Sequence, residues 1–197
     1  MATDYRALDL PLQLRNWRKC GLRFIMGREA NQELESKDAG PQSSFQPPEP
    51  WLSLWSKLAL QPCPLLWTYF ELGPDLLSSG LNQRRDLFSK ICQHLDIPGE
   101  WIVFWPLSEQ YSQGIRPRVD IFWQGVNRIK PSYLVIFGQK AMRLLYPEQA
   151  GQYGFYLQSS PSVLYLPGPE EMLPDNRQTK SFVWQMLLKL QKGMPAR

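Results

Sequence analysis

The sequence predicts an α/β protein in which helices cover both faces of a central, mainly parallel four-stranded sheet, making three layers. Three observations carry this reading. The run Tyr133–Phe137 is apolar at every position, as strands covered on both faces are. Gly138 follows it at once and supplies a tight exit that a Cβ would hinder, after which Ala141, Leu144 and Leu145 recur at helical spacing. Segments of strand and then helix character alternate four times between Leu65 and Gln191, and parallel pairing with right-handed crossovers is the economical topology for that order.

Trp51, Leu54, Trp55 and Leu58 fall at i, i+3, i+4 and i+7, which marks an amphipathic helix over Trp51 to Leu60 with both tryptophans in the core. Leu65 to Phe70 is a strand rich in aromatic and apolar residues, and Glu71-Leu-Gly-Pro-Asp75 reads as a turn. Arg84 to Leu95 is a helix with Leu87, Ile91 and Leu95 inward, closed by Pro98-Gly99. Trp101 to Trp105 is a second strand, Ser108 to Pro117 a loop, and Val119 to Ile129 a helix leading into the strand Tyr133–Phe137. After a loop from Pro147 to Gly154, Val163 to Leu166 is the fourth strand, and a last helix from about Arg177 to Gln191 turns Phe182, Val183, Met186, Leu187 and Leu190 to its apolar side.

The N-terminal quarter differs in composition. Residues 1 to 28 carry six basic against two acidic side chains, whereas the remaining 169 residues hold 16 of each, so the whole net charge of +4 sits on this arm. Such an arm on a neutral body suits contact with nucleic acid or with an acidic partner surface; a solvated helix is the other reading. Residues 29 to 50 are polar and rich in Ser, Gln, Gly and Pro, which makes them a linker or loop between the arm and a domain over residues 51 to 192.

No run approaches the roughly 20 apolar residues of a membrane span, and the first residues lack the apolar core of a signal peptide, so a cytoplasmic protein is expected. Cys20, Cys63 and Cys92 form no CxxC pair, and a single histidine, His94, cannot supply a His-rich metal centre. Neither GxGxxG nor a GK[ST] phosphate loop occurs.

From Leu65 to about Leu190 the order and phrasing resemble the uracil-DNA glycosylase superfamily, in its iron-sulfur-type bacterial and archaeal branch. Glu71-Leu-Gly-Pro74 after the first strand is similar to that family's Gly-Glu-x-Pro-Gly motif, and Ile129-Lys-Pro-Ser-Tyr-Leu-Val-Ile-Phe-Gly-Gln-Lys-Ala141 resembles its KP, strand, LG-x-x-A segment. Leu164-Tyr-Leu-Pro-Gly-Pro-Glu-Glu-Met-Leu173, with Lys180 and Trp184 beyond, resembles its His-Pro segment and closing helix. The resemblance implies the fold of these enzymes and a place in DNA metabolism.

The departures bear on activity. Where the family places a histidine that stabilises the leaving uracil anion, this chain has Leu166, Pro167, Gly168 and Pro169, none of which donates from a side chain. In the first motif Phe70 stands for the leading glycine and would crowd the backbone where a flipped base lies, while Gly73 and Pro74 follow with one residue added. The cysteine ligands of the family's cluster are also missing: Cys20 stands alone, and the later ligand positions fall near Trp105 and Val119 to Trp123. No cofactor is expected, and large indole rings can fill the volume a cluster would take.

A second resemblance, over Gly21 to Arg28, is to the segment by which the psi subunits of bacterial clamp loaders, non-catalytic relatives of this fold, dock on the collar. Together these readings lead to the expectation of a non-catalytic accessory protein of DNA replication or repair, docking its partner through Arg15, Trp17, Arg18, Lys19, Leu22, Arg23, Phe24 and Arg28. The alternative is a divergent DNA glycosylase that uses Glu71 or Asp75 to orient water and Arg116, Arg118, Arg128 and Lys130 to hold phosphates of single-stranded or duplex DNA.

Overall fold

The computed structural model describes residues 47–57, 64–80, 82–149, 151–156 and 161–194, so the arm and most of the linker lie outside the described residues. The elements are α1 (Trp51–Lys57), β1 (Leu65–Tyr69), α2 (Leu72–Leu77), α3 (Gln83–His94), β2 (Ile102–Phe104), β3 (Ser108–Tyr111), β4 (Gly114–Pro117), α4 (Val119–Ile129), β5 (Tyr133–Phe137), α5 (Gln139–Leu145), β6 (Gly154–Tyr156), β7 (Ser162–Leu166), α6 (Pro169–Met172) and α7 (Arg177–Gly193).

The main sheet has the strand order β2-β1-β5-β7-β6. β1 lies parallel between β2 and β5, with Leu65 opposite Ile102 on one side and Tyr133 on the other; β5 continues parallel to β7. Alternation along these strands feeds two cores. Leu65, Trp67, Tyr69, Val135, Phe137, Leu164 and Leu166 face α3 and α7, where Phe88, Val183, Leu187 and Leu190 meet them. Leu66, Leu134, Ile136, Val163 and Tyr165 face α1, α4 and α5. Helices therefore cover both faces of a mostly parallel sheet, as the apolar runs of β1 and β5 predict.

Three segments differ from expectation. The sheet has five strands rather than four, because Gly154–Tyr156 adds an antiparallel edge on β7, with Phe155 opposite Leu164. Three residues are too few to show a period. Ser108 to Pro117 is not a loop but the antiparallel ribbon β3–β4, with Ser108 opposite Pro117 and Tyr111 opposite Gly114. Most of its side chains are exposed, so the alternation that betrays a half-buried strand is absent. Glu71-Leu-Gly-Pro-Asp75, which has the composition of a turn, opens the helix α2. Pro74 is tolerated there because N–H groups of a first turn have no intrahelical acceptor to lose.

Of the two tryptophans of α1 expected in the core, Trp51 is core and Trp55 is half-buried against it. Trp51 is fully buried and its indole N–H donates to the Pro106 carbonyl at 2.9 Å. Trp55 packs on Trp105, with ring centroids 5.7 Å apart. Trp105 is itself fully buried and donates to the Phe122 carbonyl at 3.2 Å, passing over Gly125 of α4 so closely that a Cβ there would overlap the indole. The positions near Trp105 and Val119 to Trp123 are thus filled by packed rings, Phe122 and Trp123 among them.

Alanine favours a helix interior over glycine by nearly 1 kcal/mol. The packing of Trp105 reverses that sign: Gly125→Ala is expected to lower stability by about 1–3 kcal/mol, the cost of overfilling a tight core. Urea denaturation measures it, and a gain in stability would show that the indole has room to shift.

Candidate functional site

In open α/β sheets the natural place for a site is the crevice at the carboxyl ends of two neighbouring strands whose connections leave in opposite directions. Here the chain moves from β1 to β2 on one side and then crosses to β5 on the other, so that point lies between β1 and β5. Phe70 and Glu71 leave β1 there, Gly138 leaves β5, and Gly168 follows β7 beside it.

Phe70 is buried. Its carbonyl accepts a hydrogen bond from the Ser108 hydroxyl, which ties the end of β1 to the ribbon, and the Lys140 ammonium stands 3.5 Å from the centre of its ring. Gly138 has φ +88°, a conformation a side chain would strain, and lies close to Gly168. The two glycines leave a bare strip of backbone, and the Glu170 carboxylate occupies it, against Gly168 and within contact of Gly138. Glu170 is exposed as a residue, yet partial burial of its carboxyl group against this backbone, with Glu71 and Glu171 adding like charge, pushes its pKa above the usual carboxylate value. Glu171 is held otherwise: it accepts from the Gly168 N–H at 3.0 Å and from the Tyr153 hydroxyl at 2.7 Å.

On the other side of Phe70 a groove of about 440 Å³ runs between the ribbon and α5. Phe70, Ile115 and Pro117 form its apolar wall, and Gln139, Lys140 and Arg143 its polar one. Lys140 and Arg143, at i and i+3 on α5, were missed by sequence reasoning because Ala141, Leu144 and Leu145 were read only for their buried face. The cationic pair on the opposite stripe was a legible signal. Chemically, the crevice combines an aromatic wedge, two cations on one flank and carboxylates on the other, with no histidine, cysteine or hydroxyl nucleophile among its lining residues.

The two candidate acids have different fates. Asp75 is buried, and every contact it makes is structural: the Tyr69 hydroxyl at 2.8 Å, the Asn82 amide at 2.6 Å, and Arg84 through Nε at 2.7 Å and a terminal nitrogen at 2.5 Å. Burial pushes its carboxyl up, but the bonds from Arg84, Tyr69 and Asn82 outweigh this and hold it below the usual value. The same contact, after burial itself, raises the Tyr69 hydroxyl. Both oxygens of Asp75 are engaged in joining β1, α2 and α3, which leaves no geometry for activating water. The Glu71 carboxylate makes no hydrogen bond or ion pair among the described residues, and the residue stands half-buried after the end of β1.

The four cations expected to hold phosphates do not share one surface. Arg116 is exposed on β4 with its guanidinium 5.9 Å from the Tyr111 ring. Arg118 is bound to Asp120 at 3.0 Å and Glu109 at 3.4 Å, ordering the entry to α4. Arg128 stacks on Trp55 at 5.1 Å, and Lys130 caps the far end of α4 in a left-handed conformation. Ten residues of helix put Arg128 about 15 Å from Arg118, toward the amino ends of the strands. Of the other positions singled out in the sequence, Gly73 and Pro74 lie in α2, Leu166 ends β7, and Pro167, Gly168 and Pro169 lead into α6. Arg15, Trp17, Arg18, Lys19, Leu22, Arg23, Phe24 and Arg28 lie outside the described residues.

Among the described residues no group of three or more His, Cys, Asp and Glu is placed to hold a metal ion, and Cys92 is a half-buried thiol pushed up to about 11 by burial. No helix of the described residues is long and apolar enough to cross a membrane. No family model matches the chain, and no curated protein shows significant similarity to it.

Because the folded pKa of Asp75 is depressed, the stability it contributes is present above the unfolded value and is lost as pH falls below about pH 4. Asp75→Asn removes an anion from beside Arg84 and is expected to cost about 3–5 kcal/mol at neutral pH, the range for breaking a buried pair, with the smaller end favoured by the partial exposure of Arg84. The deficit should shrink in acid. Denaturation of both proteins at pH 7 and pH 3 measures it, and an equal deficit at the two values would deny the pair its role.

Proposed function

We propose that this chain is a non-catalytic binding protein with a uracil-DNA glycosylase-like fold, an accessory component of DNA replication or repair that docks its partner through the basic N-terminal arm. The observation that carries the non-catalytic part is the occupancy of the crevice. A base taken out of the stack needs a snug pocket with donors aimed at its edge. Here the Glu170 carboxylate lies on the bare backbone of Gly138 and Gly168, the buried Phe70 ring stands at the end of β1 against Lys140, and Leu166, Pro167 and Gly168 bring no side-chain donor. A carboxylate on that strip would also repel the anion a departing uracil becomes.

The accessory role rests on the segregated charge, six basic side chains against two acidic in residues 1 to 28, and on the Gly21 to Arg28 phrase. Lys140 and Arg143 form a cationic flank that suits shallow contact with a phosphate backbone rather than insertion of a base. One observation favours the glycosylase alternative: Glu71 is a carboxylate without a partner among the described residues, after the end of β1.

Uracil-containing single- and double-stranded oligonucleotides separate the two. The expected result is no alkali-labile site at any enzyme concentration, with salt-sensitive binding that a charge-reversed arm (Arg15, Arg18, Lys19 and Arg23 to Glu) weakens at least tenfold. Strand cleavage abolished by Glu71→Gln would overturn the proposal and make the protein a glycosylase.

A further inference from the structure

A second concavity lies away from the crevice, on the face of the sheet covered by α3 and α7. α3 presents Leu87, Lys90, Ile91 and His94, and α7 presents Lys180, Val183, Trp184 and Leu187. Each set falls at i, i+3, i+4 and i+7, so two helices turn matching stripes toward a common groove of about 510 Å³. Its floor is Met172, a side chain that adapts its shape to what covers it. Among the described residues that line it, the charged side chains are Lys90 and Lys180, with the His94 imidazole beside them. Lys90 makes no ion pair among the described residues, while Lys180 is shared with Asp175 at 2.9 Å. The groove thus has an apolar floor and a basic rim along both banks.

We propose that this groove docks an acidic amphipathic helix of a partner protein. A helix laid between two others inserts apolar anchors at i, i+3, i+4 and i+7 and leaves its polar flanks at the rim, where Lys90 and Lys180 select carboxylates. The chain's own N-terminal segments are poor occupants by the same criteria. Residues 1 to 28 carry net positive charge and would meet a rim of like sign. Residues 29 to 46 are acidic but hold only Leu34 and Phe45 as large apolar side chains, too few to supply anchors at i, i+3, i+4 and i+7. The groove is separate from the crevice, so this docking stands whether or not the chain touches DNA.

The probe is a fluorescein-labelled peptide with leucines at those spacings and glutamates elsewhere, titrated with the full-length protein and compared with the same peptide carrying lysines. The expected result is saturable binding of the glutamate peptide, weakened by salt. Lys90→Glu, an exposed change that leaves the core intact, should weaken it about three- to fivefold, and Ile91→Gln should weaken both peptides. Equal affinity for the two peptides, no binding of either, or indifference to Lys90→Glu would overturn the proposal. So would displacement of the probe by synthetic peptides of residues 1–28 or 29–46, which would make the occupant part of this chain, or exclusion of the probe by a concentration-dependent dimer.

Discussion

The structure depends on the pairing of β1 with β5. Both strands are buried along their length, from Leu65 to Tyr69 and from Leu134 to Phe137, and neither can form without helices on both faces. That requirement recruits α3 and α7 on one side and α1, α4 and α5 on the other, and it leaves Trp67, Phe88, Phe104 and Phe137 in one aromatic cluster with centroids 4.9–6.4 Å apart. Because the connection from β1 leaves toward β2 and the next returns to β5, the same pairing opens a crevice at the carboxyl end of this sheet.

What lies in the crevice follows from residues immediately beyond the strands. Asp75 is held by Tyr69 of β1 and Arg84 of α3, so α2 is fixed close to the end of β1. Ser108 binds the Phe70 carbonyl and brings the ribbon to the same point. Gly138 and Gly168 let the backbones of β5 and β7 approach, and Glu170 lies over them. The three fastenings converge on the carboxyl ends of β1, β5 and β7.

The parts of this arrangement that were legible in the sequence are those with enough residues to show a period. Val119–Ile129 begins and ends where its apolar stripe predicts, and the runs of β1, β5 and β7 announce a sheet covered on both faces. Gly154–Tyr156 was invisible because three residues have no pattern, and the ribbon because its side chains face water. Pro and Gly in Leu72–Leu77 disguised a helix whose first turn tolerates them. At the site, the bulk of Phe70 after the strand was legible in the sequence, but the placing of Glu170 was not, since it depends on bare backbone contributed by Gly138 and Gly168 of two segments. Arg118 looked like a free phosphate ligand and proved to be an internal tie, as its partners Glu109 and Asp120 are set by the ribbon and by α4.

The central claim is that the crevice between β1 and β5 is closed by Phe70 and Glu170 and receives no base. Backbone amide resonances of Gly138 and Gly168, followed while a uracil-containing single strand is added to the isotopically labelled protein, test it most directly. Unmoved signals at both glycines, even where Arg116 or Lys140 respond to the phosphates, are the predicted result. Saturable shifts at Gly138 and Gly168 would mean that Glu170 gives way to a ligand, and that the crevice is a binding pocket after all.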